Sequence, residues 1–168
     1  MSLLLTITGD RKLVTSSGIY IFTPLHINFA METQPVKLDE YCRQYGISFF
    51  DVQLRCVFCR HLVSTSELAD FHCKHLSLIW KEKVCYAACC ACLRLCARCE
   101  AERYYQCNVC SSLIEDIVRK PLCDIVIRCL YCLAKLDLLE KLEHKYLRKR
   151  FHLVRGYWRG DCRNCKQK

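Results

Sequence analysis

Four Cys-x-x-Cys pairs, arranged as two equal units, predict an α+β chain of two homologous small zinc-binding domains joined by a linker helix. The first unit is Cys56-Val57-Phe58-Cys59, then residues 60–88, then Cys89-Cys90-Ala91-Cys92. The second is Cys129-Leu130-Tyr131-Cys132, then residues 133–161, then Cys162-Arg163-Asn164-Cys165. Both gaps are 29 residues, and the second unit follows the first at an offset of 73. Two thiolates three positions apart on a tight knuckle can face one ion, and two such pairs complete the tetrahedron that zinc accepts. The expected ligand sets are Cys56, Cys59, Cys89 and Cys92 for one Zn2+, and Cys129, Cys132, Cys162 and Cys165 for a second. With four sulfurs each, neither site keeps a position for a reacting water, so both zincs are structural.

The repeat reaches beyond the ligands. Leu54-Arg55-Cys56 matches Ile127-Arg128-Cys129, and Ser64-x-x-Glu67 matches Asp137-x-x-Glu140. The latter two have the form of capping boxes and predict a helix after each first knuckle. Short apolar runs, Leu76-Ser77-Leu78-Ile79-Trp80 and Phe151-His152-Leu153-Val154, predict a strand before each second knuckle. Each module then reads knuckle, helix, strand, knuckle. The expected order is a disordered N-terminal extension (1–30), an amphipathic arm (31–50), a first zinc domain (51–92), a linker helix region (93–123) and a second zinc domain (124–168). Leu93, Cys96, Ala97, Glu100 and Tyr104 carry the helical spacing of the linker. A second short helix over 112–119 should end before Lys120-Pro121. Met31-Glu32-Thr33-Gln34-Pro35 reads as the natural start, which makes residues 1–30 dispensable.

Composition narrows the class. The chain has 168 residues and 17 cysteines, an odd number that cannot be fully paired within one chain. No signal peptide opens it, which favours reduced, metal-binding cysteines. No apolar run approaches the ~20 residues of a membrane helix. Nine cysteines lie outside the repeat; Cys96-x-x-Cys99 and Cys107-x-x-Cys110 could close a third site, or pack as small apolar residues on the linker helix. The latter is favoured, because these pairs have no counterpart in the repeat. None of the six histidines sits in a metalloprotease or deaminase motif and there is no Gly-rich phosphate loop, so no enzyme is expected. The net charge is +9, and residues 141–168 hold ten Lys/Arg against Glu143 and Asp161. An anionic partner is expected, either an acidic peptide or nucleic acid.

The two units with their 36-residue interval (93–128), together with Leu54-Arg55-Cys56-Val57-Phe58-Cys59, Tyr86-Ala87-Ala88-Cys89, Lys120-Pro121-Leu122-Cys123-Asp124 and Phe151-His152-Leu153-Val154-Arg155-Gly156, resemble the papillomavirus early protein six, a small viral oncoprotein. The resemblance covers residues ~37–168. It implies an adaptor without catalysis that clamps an acidic Leu-x-x-Leu-Leu helix between the two domains and the linker. The host partner would be a ubiquitin ligase or a Mastermind-like coactivator, and the outcome redirected degradation, transcription and apoptosis control in the host nucleus and cytoplasm. By the same resemblance Val57, Phe58, Leu76, Ile79 and Leu93 line the groove and Arg128 contacts the peptide. A second family arginine falls at Tyr157, with neighbouring Arg155 expected in its place. The C-terminal Lys166-Gln167-Lys168 offers no apolar side chain to a PDZ domain, so none is expected to bind there. The alternative function is a zinc-dependent nucleic-acid binder, on the strength of the basic C-terminal segment with Tyr157 and Trp158 interleaved.

Overall fold

A computed structural model describes residues 34–166. The expected extension over 1–30, the start at Met31 and the terminal Gln167-Lys168 lie outside the described residues. The chain runs α1 (Leu38–Tyr45), a 3-10 turn (Phe49–Asp51), β1 (Arg55–Cys56), α2 (Thr65–Cys73), β2 (Ile79–Lys81), β3 (Val84–Ala87) and α3 (Cys90–Tyr104). It continues with β4 (Tyr105–Cys110), a 3-10 turn (Ser111–Leu113), α4 (Ile114–Val118), β5 (Arg128–Cys129), α5 (Leu138–Tyr146), β6 (Arg150–Val154), β7 (Tyr157–Gly160) and α6 (Arg163–Lys166).

Two small sheets result. The first has the order β1-β3-β2, the second β4-β6-β7-β5. In each, the strand bearing the first ligand cysteine pairs in parallel with the strand leading to the second knuckle, and all other pairs are antiparallel. The registers are Arg55↔Tyr86 and Cys56↔Ala87 in one module, Arg128↔Arg159 and Cys129↔Gly160 in the other. Every member shifts by the same 73 positions as the cysteines.

The backbone repeats as closely as the ligands do. Left-handed residues recur in pairs: Arg60 and Leu133, His75 and Arg148, Glu82 and Arg155, Lys83 and Gly156. The last two pairs are the central residues of the β2–β3 and β6–β7 turns, where positive φ at both positions matches the twist of a two-residue hairpin. Only Gly156 announces such a turn; Glu82-Lys83 does not, and the hairpin strands β3 and β7 were not expected from the sequence. The expected strand over 76–80 is also displaced. It begins at Ile79, while the Leu78 N–H donates to the Val36 carbonyl at 2.8 Å.

The repeat begins earlier than the expected boundary at residue 51. Helix α1 and the pair Ser111–Leu113 plus α4 occupy equivalent positions, each closed by a left-handed residue, Gly46 or Arg119. The arm is therefore part of the first module: Leu38 is buried in its core beside Val52, Leu54, Val63, Leu68 and Phe71. The expected linker region over 93–123 divides likewise. Only α3 links; β4 is an edge strand of the second sheet, and Ile114 and Leu122 join Ile125, Ile127, Leu136 and Phe151 in the second core. Among the described residues no helix is long and apolar enough to cross a membrane.

The second core also contains a histidine. His144 on α5 is fully buried and stacks on Phe151 with ring centroids 5.0 Å apart. Its Nε2 accepts the Asp161 N–H at 3.1 Å, which leaves Nδ1–H to donate to the Glu140 carbonyl at 2.8 Å. Gly160 is required beside this stack, because a Cβ there would come within 3.0 Å of the Phe151 ring and 3.2 Å of His144 Nε2. Burial lowers the His144 pKa, so the fold holds the neutral ring. Its contribution is complete above the ordinary histidine value of about 6.5 and is lost as pH falls through the lower folded value. Denaturant titrations of the zinc-loaded protein should therefore show stability falling below pH ~6.5. A His144→Gln variant should be weaker at pH 7 but have a flatter slope between pH 6.5 and 5.5.

Candidate functional site

Each module gathers its four cysteines by the parallel pairing just described. The Cys56 N–H donates to the His61 carbonyl and the Val57 N–H to the Ala87 carbonyl, so the first knuckle folds back on itself and docks on β3. Cys129 and Leu130 repeat this with Ala134 and Gly160. Behind the second Cys of each knuckle stands a left-handed residue, Arg60 or Leu133, whose N–H donates to the carbonyl of Cys56 or Cys129. A non-glycine residue there costs on the order of 1–2 kcal/mol, a small charge against metal binding.

The Sγ atoms of Cys56, Cys59, Cys89 and Cys92 lie within 4.8 Å of one another, as do those of Cys129, Cys132, Cys162 and Cys165. A zinc tetrahedron with bonds of ~2.3 Å places its sulfurs about 3.8 Å apart. The Cys59–Cys89 separation is 3.9 Å and the Cys132–Cys162 separation 3.7 Å. Both clusters therefore have the donor set and close to the spacing of a structural zinc site. They are also poised for thiolate. Burial opposes ionisation of Cys56, but N–H groups of Cys89, Cys59 and Phe58 bring its pKa down to about 6. The thiol of Cys132 and the Tyr131 N–H lower Cys129 to about 5. Burial and then the neighbouring Cys129 push Cys162 up to about 12, while Cys132 is pushed up first by Cys129 and then by burial. Four thiols this close cannot all ionise without a cation, and a divalent ion removes that conflict.

One supporting pair was only half legible. The sequence marks Glu67 and Glu140 as capping-box acids, and both do reach back to the N–H of Ser64 or Asp137. Their other oxygens accept the N–H groups of Cys90 and Arg163 at 3.1 and 2.8 Å. Each glutamate thus ties the start of its helix to the residue after the third metal ligand. Cys96, Cys99, Cys107 and Cys110 join no cluster of metal-binding geometry among the described residues.

The expected groove residues fall into three groups. Val57 and Leu93 are buried; Leu93 belongs to the first core and could only back a groove. Leu76 and Ile79 are half-buried, and Phe58 on the first knuckle is exposed. Arg128 is half-buried and already bonded: its guanidinium donates to the carbonyls of Lys74 (3.2 Å), His75 (3.0 Å) and Leu133 (2.9 Å). It therefore pins the end of α2 in the first module to the second knuckle. Arg155 is exposed in the β6–β7 turn, 5.2 Å above the Tyr104 ring and 3.8 Å from Glu100.

Sequence reasoning missed Arg159. It is buried on β7 beside Arg128 of β5 and bonds Glu100 of α3 at 3.0 Å. Its repeat counterpart is Tyr86, so no pattern marked it. Burial, and then the nearby Arg159, lowers the Arg128 pKa, though a guanidinium stays charged. Beyond α3, a groove of about 700 Å³ opens on its opposite side, between Ala91, Leu95 and Arg98 and the knuckle residues Leu130 and Tyr131.

Metal analysis of purified protein should find two zinc ions per chain. Cys129→Ser should leave one zinc bound in the first module, and Cys107→Ala with Cys110→Ala should leave both.

The sequence profile of the Early Protein (E6) family matches residues 56–165. Protein E6 of Human papillomavirus type 48 is 49% identical over 136 residues, covering 80% of this chain and 96% of the relative. Protein E6 of Human papillomavirus 65 is 45% identical over 135 residues, with the same coverage. The solution structure of the C-terminal zinc-binding domain of HPV51 oncoprotein E6 is 37% identical and covers 39% of this chain and 84% of that domain, with a TM-score of 0.35. The family profile over residues 56–165 and the two full-length relatives show that the chain belongs to the papillomavirus E6 early-protein family.

Proposed function

We propose that the chain is a viral adaptor that docks an acidic Leu-x-x-Leu-Leu helix of a host protein against the face bordered by Leu76, Ile79 and Arg128. The host protein is a ubiquitin ligase or a Mastermind-like coactivator, met in the nucleus and cytoplasm, and the adaptor redirects it to alter degradation, transcription and apoptosis control. The reading assigns no catalytic step to the chain.

One observation carries the proposal. Arg128 and Arg159 stand side by side on β5 and β7, with Glu100 the carboxylate bonded to Arg159. Arg128 reaches the carbonyl of His75, next to the half-buried Leu76. Positive charge beside aliphatic side chains suits a peptide helix with leucines on one face and acids at its ends. Carbonyl oxygens are already what Arg128 binds, so an incoming helix can compete for the same donors.

Peptide titration tests this. An unpaired charge in an apolar pocket is costly, so Leu76→Glu should weaken binding of an acidic Leu-x-x-Leu-Leu peptide by well over tenfold. A hydrogen bond from a charged donor is worth about 1.5–3 kcal/mol, so Arg128→Ala should weaken it roughly tenfold or more. Both variants should keep two zincs, and Leu95→Glu on the opposite side of α3 should bind normally. Wild-type affinity in Leu76→Glu and Arg128→Ala would defeat the proposal. Loss through Leu95→Glu alone would put the peptide in the groove with Leu130. Binding of single-stranded nucleic acid that falls steeply with salt and ignores Leu76→Glu would favour the other reading.

A further inference from the structure

Helix α5 is built inside out. Its buried residues are Glu140, Lys141 and His144. Its apolar residues face solvent: Leu138 is 48% exposed, Leu139 63%, Leu142 46% and Tyr146 87%. These four form one stripe, because positions i, i+4 and i+8 with i+1 share a face of a helix. Leu147 continues it at the C-cap, also half exposed. Scattered exposed leucines need no explanation, but a contiguous stripe of large apolar side chains on a polar-cored helix does.

The repeat supplies an internal control. Helix α2 holds the equivalent place in the first module and has the opposite polarity. Leu68 and Phe71 are buried where α5 has Lys141 and His144. Thr65, Ser66, Ala69 and Cys73 stand where α5 has Leu138, Leu139, Leu142 and Tyr146. The fold therefore does not require leucines on this surface. Nor does the second module lack their burial, since Lys141 Nζ is satisfied by the Leu122 and Cys123 carbonyls and His144 by Glu140 and Asp161.

We infer that the outer face of α5 is a second docking surface, and that its occupant is an amphipathic helix of a partner protein with an acidic border. Charge selects the occupant. Exposed Arg148 and Arg150 follow the end of the stripe and form no ion pair among the described residues, whereas Lys145, Lys149 and Lys166 are already paired with Glu115, Asp161 and Glu143. A second copy of the chain would bring two such sets of arginines together, which repulsion opposes. A bilayer is disfavoured on size and flank: the stripe spans little more than two turns, and Glu143 borders it, whereas a single whole acyl chain gives only marginal membrane binding. A helix laid along α5 can pack leucines between Leu138, Leu142 and Tyr146 and set its acids against the arginines. The surface uses none of the residues assigned to the Leu-x-x-Leu-Leu face and does not depend on that assignment.

The test uses the full zinc-loaded chain and a designed 18-residue helix with leucines at i, i+4, i+7 and i+11 and glutamates on its flanks. That spacing contains no Leu-x-x-Leu-Leu motif. Fluorescence anisotropy should show micromolar binding, and a twin peptide with lysines in place of the glutamates should bind at least tenfold more weakly. Grafting the α2 surface onto α5 (Leu138→Thr, Leu139→Ser, Leu142→Ala and Tyr146→Ser) should reduce binding of the acidic helix at least tenfold. The graft should keep two zincs and unchanged affinity for a Leu-x-x-Leu-Leu peptide, which separates this surface from the other face. Leu76→Glu should leave the designed helix bound. Unchanged affinity in the graft, or no binding by the wild type, would overturn the inference. So would a dimer in sedimentation, or capture on phosphatidylserine vesicles, that the graft abolishes, because the occupant would then be a second copy or a membrane.

Discussion

Everything in this molecule depends on four sulfurs having to meet at one point, twice. Each module places Cys-x-x-Cys pairs about thirty residues apart, and neither two-residue parallel pairing nor a dozen core side chains would hold them there unaided. A structural zinc is worth on the order of 10 kcal/mol or more to folding, comparable with the whole stability of a small domain. That scale explains what the rest of the chain tolerates. Left-handed Arg60, Leu133, Glu82 and Lys83, a core helix of polar residues and sheets of three and four short strands would each be poor choices for a module without metal. With the metal they need only agree with the position of the thiolates.

The modules and their ligands were legible because metal geometry is written directly in spacing. Two equal gaps and a constant offset give the two ligand sets, and the capping boxes repeat at the same offset. What escaped has a common cause. The hairpins β2–β3 and β6–β7 are closed by Glu82-Lys83 and Arg155-Gly156, and only the latter contains a turn glycine. Strand β4 reads Tyr105-Gln106-Cys107-Asn108-Val109-Cys110, with no alternation that marks a buried face, because it is an edge strand mostly open to solvent. Ser111–Val118 matches α1 in position but hardly in residue type, so the true extent of the repeat is visible only in the backbone. Where tertiary pairing dictates structure against weak local preference, sequence pattern has little to report.

The site shows a similar division. Arg128 lies at the junction of the modules, next to the chain segment that carries Leu76, and the structure gives it a duty that no motif specifies. Through Lys74, His75 and Leu133 it joins a helix end of one module to a knuckle of the other. Arg159 and Glu100 join the second sheet to α3. Leu133, left-handed in the second knuckle, also packs on the first core. These polar links and the Leu133 contact all join the two modules. A partner that inserts beside Arg128, as proposed above, would exchange carbonyls within the chain for carbonyls of its own, and would thereby act on one of the links between the modules.

Duplication then explains how two surfaces can differ on one plan. The metal and the parallel pairing determine where α2 and α5 sit, so the residues on those helices are free to diverge wherever the knuckles do not touch them. The first module buries Leu68 and Phe71 and shows small or polar residues outward. The second satisfies Lys141 and His144 internally and turns its leucines out. Such an inversion would ruin a domain whose stability came from helix burial alone, because each buried polar group costs free energy unless it is fully bonded. Here both ring nitrogens of His144 are bonded and Lys141 Nζ donates to two carbonyls, and metal binding carries the folding energy that the lost apolar burial would have supplied. A metal-stapled module can therefore give an apolar helix face to recognition, whereas one held by its core must keep that face for itself.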